Sequence, residues 1–217
     1  KQEMETAKAE KEKAEEEGLS FTDLEPRKNP LIPIIGCEFY LSDRPDQKQF
    51  TKDDPDRRTN VVLLAKNFNG YKNLAKLSSL GYINGFYFGV PRISRELIAQ
   101  YKEGLIALTS GIFGDIPSTI LNIGEQRGEE LFQWWKNTFG DDFYVQIQNH
   151  KLPEEEHLNE VLLQFADKYN VKILAQNETF YTNKSDANIQ DILSCIKDGE
   201  KLSTPIGKGF GKRKGLT

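Results

Sequence analysis

Two glutamates and a histidine are the residues of this 217-residue chain whose chemistry could support a reaction. Glu38 and Glu178 each lie in or just after an apolar run, and His150 ends the segment QNH. Two carboxylates can act as general acid and base, or as oxygen ligands of a metal ion. They specify neither role, because a hydrolytic site with several metal ions needs a dense set of His, Asp and Glu ligands. The chain has only two histidines.

These residues lie at the ends of predicted strands. Five apolar runs are interpreted as strands: residues 32–41, 60–67, 105–111, 143–150 and 171–178. They alternate with amphipathic helical segments, which is typical of parallel strands covered by helices. Ligands in such folds bind at the carboxyl ends of the strands. We therefore expect a shared cleft lined by Glu38, Lys66-Asn67, Ser110-Gly111, Asn149-His150 and Asn177-Glu178.

Helices are predicted over residues 71–83 and 154–170, and again over 185–199, where an Asp/Ser start precedes a Gly stop. The segment EELFQWWKNTFG, residues 129–140, has the period of a long amphipathic helix. One ring of Trp134-Trp135 should then pack inward while the other covers a surface. The sequence thus predicts helices between the strands, with caps that fix several of their ends.

Packing explains several other reactive side chains. Cys37 should face away from Glu38, because side chains alternate along a strand, and Cys195 lies in the apolar helical segment ILSCI. Both are interpreted as core cysteines. His157, in the acid-rich start of a helix, should face solvent. His150 is either a residue of the cleft or a hydrogen-bonded loop histidine.

Two further motifs are less specific. The segment 207–212, GKGFGK, lacks the spacing of a phosphate loop and is interpreted as a flexible basic loop. Aromatic residues flank a glycine-rich turn and could either form a partner-binding patch or pack beneath a loop: Tyr82, Phe86, Tyr87 and Phe88.

Composition limits the classes of function. A net charge of −4 argues against a surface devoted to binding nucleic acid. No apolar run is long enough to cross a membrane, and two cysteines do not make a disulfide framework, so a cytoplasmic location is expected. Residues 1–29 are interpreted as a charged helical insertion or linker, and 206–217 as a basic, glycine-rich loop. The lysine start indicates a piece of a longer protein.

Longer phrases resemble one known family. IPIIGCEFYL, VVLLAKNFNGYKNLAKLSSLGYINGFY, GDDFYVQIQNH and VKILAQNETFYTNKSDANIQDILSCIKDG are similar to the PHP domain (polymerase and histidinol phosphatase) of bacterial DNA polymerase III alpha subunits. The resemblance covers about residues 31–205, so the domain is assigned to 30–205. It implies an α/β fold, a distorted β/α barrel with seven strands in the family. The family's first strands and His-x-His pair have no counterpart here, so the first strands are expected to be missing.

The resemblance also implies a metal site that can be compared position by position. Glu38 keeps the family's acid ligand, and Glu178 replaces an aspartate. Asn60 stands where a histidine is usual, Gly111 where a cysteine is usual, and Phe180 where the last histidine is usual. Zinc prefers imidazole and thiolate ligands. We therefore expect a vestigial site that holds a hard cation weakly if at all, with no catalytic residue.

Two functions remain open at this point. The first is a degenerate, structural PHP domain that stabilises a replicative polymerase and docks its proofreading exonuclease. The second is an active metal-dependent phosphoesterase or 3'-5' proofreading nuclease that uses Glu38, Glu178 and His150. No cofactor is expected in the domain itself. The resemblance implies magnesium and DNA for the parent polymerase, the remaining domains of that subunit as partners, and no membrane. A free-standing barrel protein is a third alternative.

Overall fold

The computed structural model describes residues 33–207 and 212–213. This part of the chain holds six β-strands and six α-helices. The strands are β1 (Gly36–Leu41), β2 (Thr59–Ala65), β3 (Arg92–Ile93), β4 (Leu105–Leu108), β5 (Phe143–Ile147) and β6 (Lys172–Ala175). The helices are α1 (Phe68–Asn84), α2 (Arg95–Gln100), α3 (Asp115–Asn122), α4 (Glu125–Phe139), α5 (Pro153–Lys168) and α6 (Ala187–Asp198).

The strands form one mixed sheet in the order β3-β1-β2-β4-β5-β6. Strand β2 runs antiparallel to both β1 and β4, whereas the other three pairs are parallel. The prediction of parallel strands throughout is therefore wrong at β2. A parallel return needs a crossover, usually a helix, and residues 42–58, which connect β1 to β2, contain none. The α/β class is confirmed.

Alternation along the strands divides the sheet into two faces. One face is packed against the helices and carries most of the core: Phe39, Leu41, Val61, Leu63, Ala107, Phe143 and Val145. The opposite face carries Glu38 and Asn60, and its side chains in the described residues are mostly exposed or half-buried. Of the predicted site residues, Glu38 and Asn60 therefore lie on the face that the helices do not cover.

Local sequence explains where the helices begin and end. The Asn67 side chain accepts a hydrogen bond from the Gly70 backbone N–H and caps α1. Position 70 requires glycine, because a Cβ there would lie 1.9 Å from the Gly104 carbonyl oxygen. Helix α5 begins with Pro153 and three glutamates, and α6 ends at Gly199 with a φ of 68°. The predicted starts and stops of α5 and α6 are confirmed within one or two residues.

Two predicted strands are shorter and less buried than expected. The first begins at Gly36 instead of residue 32, and only Phe39 and Leu41 are buried. The last spans Lys172–Ala175, and Ile173 is 47% exposed. Each lies near a margin of the sheet, and β6 has one neighbouring strand in the described residues, which leaves its outer side open.

The packing predictions for single residues are largely confirmed. Trp135 is buried and Trp134 half-buried, as the helical spacing indicates. Cys195 is buried and Cys37 packs against the core, while the His157 side chain is half exposed.

The four aromatic residues of the glycine-rich turn do not all follow one predicted alternative: some are exposed and one packs inward. Phe88 is 89% exposed, and Tyr82 and Phe86 also lie on the surface. Tyr87 alone packs inward, against Phe50. Residues 1–29 and most of the glycine-rich tail, where further structure was predicted, lie outside the described residues.

Candidate functional site

The two family ligand positions on β1 and β2 lie side by side. Glu38 is opposite Val62 in the antiparallel ladder, and Asn60 precedes Val62 by two residues on the same face. The Asn60 side-chain amide donates a hydrogen bond to the Glu38 carboxylate. Glu38 is exposed and lies within the strand, not at its end. The two positions, which the resemblance assigns to one site, are neighbours in the structure, and an amide N–H contacts the acid.

Cys37 lies on the other face of β1. Burial raises the pKa of its thiol, and the neighbouring Glu38 charge raises it further. The raised pKa favours the protonated thiol over the thiolate, which is the nucleophilic and metal-binding form.

The end of β4 contributes backbone and hydroxyl groups in place of a thiol. Ser110 adopts a φ of 65°, and its hydroxyl accepts a 2.9 Å hydrogen bond from the Val62 backbone N–H. A Cβ on Gly111 would lie 2.5 Å from Oε1 of Gln148. The Gln148 side chain, which follows β5, therefore occupies the space that a cysteine at position 111 would enter.

His150 is tied to helix α5. Its Nδ1 lies 2.6 Å from Glu155 Oε1, and its backbone N–H donates to Glu155 Oε2 at 2.5 Å. Glu155 is 5% exposed. Burial raises the pKa of Glu155, but the hydrogen bonds from His150 outweigh it and hold that pKa below its ordinary value. The geometry matches the interpretation of His150 as a hydrogen-bonded loop histidine.

Asn177, not Glu178, connects the ends of β5 and β6. Its Oδ1 accepts from the Asn149 backbone N–H at 2.8 Å, and its Nδ2 donates to the Asn149 carbonyl oxygen at 3.0 Å. Glu178 is exposed, and the Phe180 ring two residues on is 67% exposed. This amide therefore fixes the chain where the family's last ligand pair is expected.

The prediction that the Lys66-Asn67 turn lines the cleft is wrong. Because β2 runs antiparallel to its neighbours, its carboxyl end lies beside the amino ends of the other strands. The carboxyl ends of β1, β4, β5 and β6 lie at the opposite end of the sheet. Lys66 Nζ instead donates to Asp142, just before β5, at 2.7 Å, and Asn67 caps α1. The start of β2, with Thr59 and Asn60, takes that place.

A buried ionic network beneath Asn60 was not predicted. Asp115, which is 3% exposed, accepts two hydrogen bonds from Arg95, at 2.7 and 2.9 Å. It also accepts from the Thr59 hydroxyl at 2.9 Å and from the Trp135 indole N–H at 3.0 Å. Every partner comes from a different element, so no local pattern could reveal the network. The one available signal was an aspartate at the start of α3.

A small cavity lies where β4 and β5 end. It has a volume of about 10 Å³, room for about one water molecule, and Ser110, Gly111, Gln146 and Gln148 are among its lining residues. Gln146 Oε1 is buried and has no hydrogen-bond partner among the described residues. This cavity is too small for a substrate.

The described residues contain no group of three or more His, Cys, Asp or Glu side chains placed to hold a metal ion. They also contain no helix that is long and apolar enough to cross a membrane.

Comparison with known proteins identifies the family. A family model for the PHP domain matches residues 2–150, more than half of the chain. DNA polymerase III subunit alpha of Borreliella burgdorferi is 38% identical over 182 residues, which is 82% of this chain and 16% of the relative. The Thermus aquaticus protein of the same name is 39% identical over 80% of this chain and 14% of its own length. That of Aquifex aeolicus is 40% identical over 77% and 15%. The chain spans about one-sixth of these relatives or less, and it belongs to the PHP domain family.

Proposed function

We propose that this chain is part of the alpha subunit of a bacterial DNA polymerase III, and that its PHP domain is a structural and interaction module without phosphoesterase activity. The observation that supports this most directly is the hydrogen bond from the Asn60 amide to the Glu38 carboxylate. An N–H group directed at a carboxylate oxygen competes with a cation for the same lone pairs. The retained acid has a partner within the protein.

The other family positions fit a zinc ion poorly. Gly111 has no donor, and the Gln148 amide fills the neighbouring space. Phe180 brings a ring without a donor atom. Carboxylate and amide oxygens suit a weakly held hard cation, whereas zinc prefers imidazole and thiolate. We therefore propose no metal-dependent catalytic step for this domain.

The enzyme alternative has less support from the geometry. A phosphoesterase or 3'-5' proofreading nuclease would use Glu38, Glu178 and His150. Nδ1 of His150 is already paired with Glu155 on α5, and the contact between the ends of β5 and β6 is made by Asn177. This pairing leaves Nε2 of His150 free, as in the His–carboxylate pairs of catalytic sites, so it does not exclude a general base. The described residues, however, contain no group of three or more His, Cys, Asp or Glu side chains placed to hold the metal ion that this alternative needs.

The names of the relatives support a wider proposal. If the parent protein is a DNA polymerase III alpha subunit, it copies DNA with magnesium in other domains. This domain then stabilises the polymerase core, and it is a candidate docking site for the proofreading exonuclease subunit.

The test uses the full-length polymerase subunit with the native sequence, Glu38→Ala and Glu178→Ala. We expect that neither substitution removes a phosphoesterase or 3'-5' nuclease activity. Both variants should synthesise DNA as the native protein does. Metal-dependent nuclease activity that is lost in both variants would support the enzyme alternative. Deleting the domain should lower the thermal stability of the subunit and its binding of the exonuclease. A deletion that changes neither the thermal stability nor the exonuclease binding would contradict the proposal that the domain is a structural and interaction module.

A further inference from the structure

Two buried polar groups where β4 and β5 end lack a good hydrogen-bond partner among the described residues. Gln146 is 4% exposed, and its Oε1 accepts no hydrogen bond there. Ser110 is 5% exposed, and its hydroxyl donates to the Leu108 carbonyl oxygen at 3.5 Å, which is longer than an ordinary O–H hydrogen bond. Burial of a polar group without a hydrogen bond is unfavourable. One acceptor and one donor therefore need a partner at this place.

The strand register brings these two residues together. Leu108 pairs with Tyr144 in the parallel ladder of β4 and β5, so two residues further along each chain Ser110 comes beside Gln146. The two chains stay in contact beyond the ladder, because the Thr109 hydroxyl accepts a 2.9 Å hydrogen bond from the Gln146 backbone N–H. Ser110 and Gln146 both line the cavity of about 10 Å³ described above. The residues with the unpaired acceptor and the poorly paired donor therefore share one cavity.

We infer that this cavity is a binding site for one water molecule, which donates a hydrogen bond to Gln146 Oε1 and accepts one from the Ser110 hydroxyl. A cavity holds one water when its volume is about 10–15 Å³, and this size excludes larger ligands. Ser110 Oγ also accepts a 2.9 Å hydrogen bond from the Val62 backbone N–H. The water therefore completes a chain of hydrogen bonds that runs from β2 through the end of β4 to β5.

The pairing of a donor with an acceptor favours water over a cation. A metal ion accepts no hydrogen bond, and an ammonium ion only donates, so either would leave the Ser110 proton without a partner. Glu155 also lines the cavity, but its carboxylate already accepts from the backbone N–H of His150 and contacts the ring nitrogen of the same residue. A neutral ligand that both donates and accepts therefore fits this site. The inference does not depend on the identity of the parent protein.

High-resolution crystallography of the full-length protein, with zinc or manganese in the crystals, tests the assignment directly. We expect an electron-density peak in the cavity at about 2.5–3.0 Å from both Gln146 Oε1 and Ser110 Oγ, without anomalous scattering from either metal. The peak should be lost in Gln146→Met, which removes the acceptor and keeps a side chain of similar length. A cavity without density in the native protein, a peak with an anomalous signal, or a peak that persists in Gln146→Met would overturn the inference.

Hydrogen exchange in solution gives a second readout, because a bound water and an unpaired acceptor predict opposite signs. If water binds Gln146, Gln146→Met removes a hydrogen bond, and the β5 amides should exchange about fivefold faster. If Oε1 is unpaired in the native protein, the same substitution removes a buried acceptor and exchange should slow. Gln126→Met makes the same change at an exposed position of α4 and should leave β5 unchanged. Slower or unchanged exchange in Gln146→Met would overturn the inference. Metal bound through Glu38 and Glu178 would contradict the non-catalytic proposal and leave the water site standing.

Discussion

Asn60 on β2 donates a hydrogen bond to Glu38 on β1, within one face of the sheet. The contact exists because β2 is antiparallel to β1, which brings the first residues of β2 beside the middle of β1. A parallel β2 would instead bring residues 66–67 to this edge. The direction of one strand thus decides which side chain meets the retained acid, and here it is a neutral amide.

Replacing Asn60 with aspartate should destabilise the fold. Asn60→Asp removes the amide donor and places a second carboxylate beside Glu38, where two like charges repel. We expect a loss of about 1 kcal/mol in the free energy of unfolding, measured by urea unfolding at neutral pH with a chelator present. Asn188→Asp adds the same charge at an exposed position of α6 and should change stability by less than about 0.5 kcal/mol. Equal effects at the two sites would contradict the role given to the Asn60 amide.

The network around Asp115 should be far more sensitive than the surface ion pair formed by the same arginine. Asp115→Asn leaves the half-buried Arg95 without its main partner, and breaking such a pair costs about 3 kcal/mol. Asp43→Asn removes the other partner of Arg95. The Asp43 side chain is 78% exposed. That change should cost less than about 1 kcal/mol. Thermal or urea unfolding compares them directly, and a larger loss for Asp43→Asn would refute this ranking.

Introducing a cysteine at position 111, where the resemblance implies one, should create a steric conflict. Gly111→Cys brings a Cβ to within 2.5 Å of Gln148 Oε1. Because this atom ends a flexible side chain that can shift, we expect a loss of about 1 kcal/mol or less. Shortening the neighbour with Gln148→Ala in the same chain should recover part of that loss. A double-mutant cycle measures the coupling, and strictly additive effects would show that the Gln148 side chain does not occupy this space.

The contribution of Glu155 should depend on pH. Its folded-state pKa is lowered from the ordinary 4.5. Its stabilisation is therefore fully present above pH 4.5 and disappears as the pH falls through the lowered folded-state pKa. Glu155→Gln should reduce stability by about 1–2 kcal/mol at neutral pH, and the difference from the native protein should shrink in acid. Glu156→Gln, at the exposed neighbouring position, should show little pH-dependent difference; a profile like that of Glu155→Gln would indicate a general effect of the helix terminus.

Sequence patterns predicted the features that short-range chemistry determines. Pro153 and the acids after it start a helix, Gly199 ends one, and the helical spacing separates the inward Trp135 from Trp134. The resemblance of longer sequence segments to the PHP family assigns Glu38 and Asn60 to one site. In the structure the two side chains are joined by a hydrogen bond.

Long-range relationships were beyond the sequence. The direction of β2 depends on which strands it pairs with, and the apolar run of β6 does not reveal that it lies at the margin of the sheet. Asp115 draws its partners from residues 20 to 56 positions away. No local period records such contacts, which explains why the buried network was missed and the Lys66-Asn67 turn misplaced.

The most direct test of the central claim is the metal content of the full-length polymerase subunit. The purified protein is equilibrated with zinc or manganese, dialysed, and analysed for bound metal beside Glu38→Ala and Glu178→Ala variants. We expect the same metal content in all three proteins, because the Asn60 amide meets Glu38 and the other ligand positions implied by the resemblance lack imidazole and thiolate donors. Stoichiometric metal in the native subunit that is lost in both variants would contradict it.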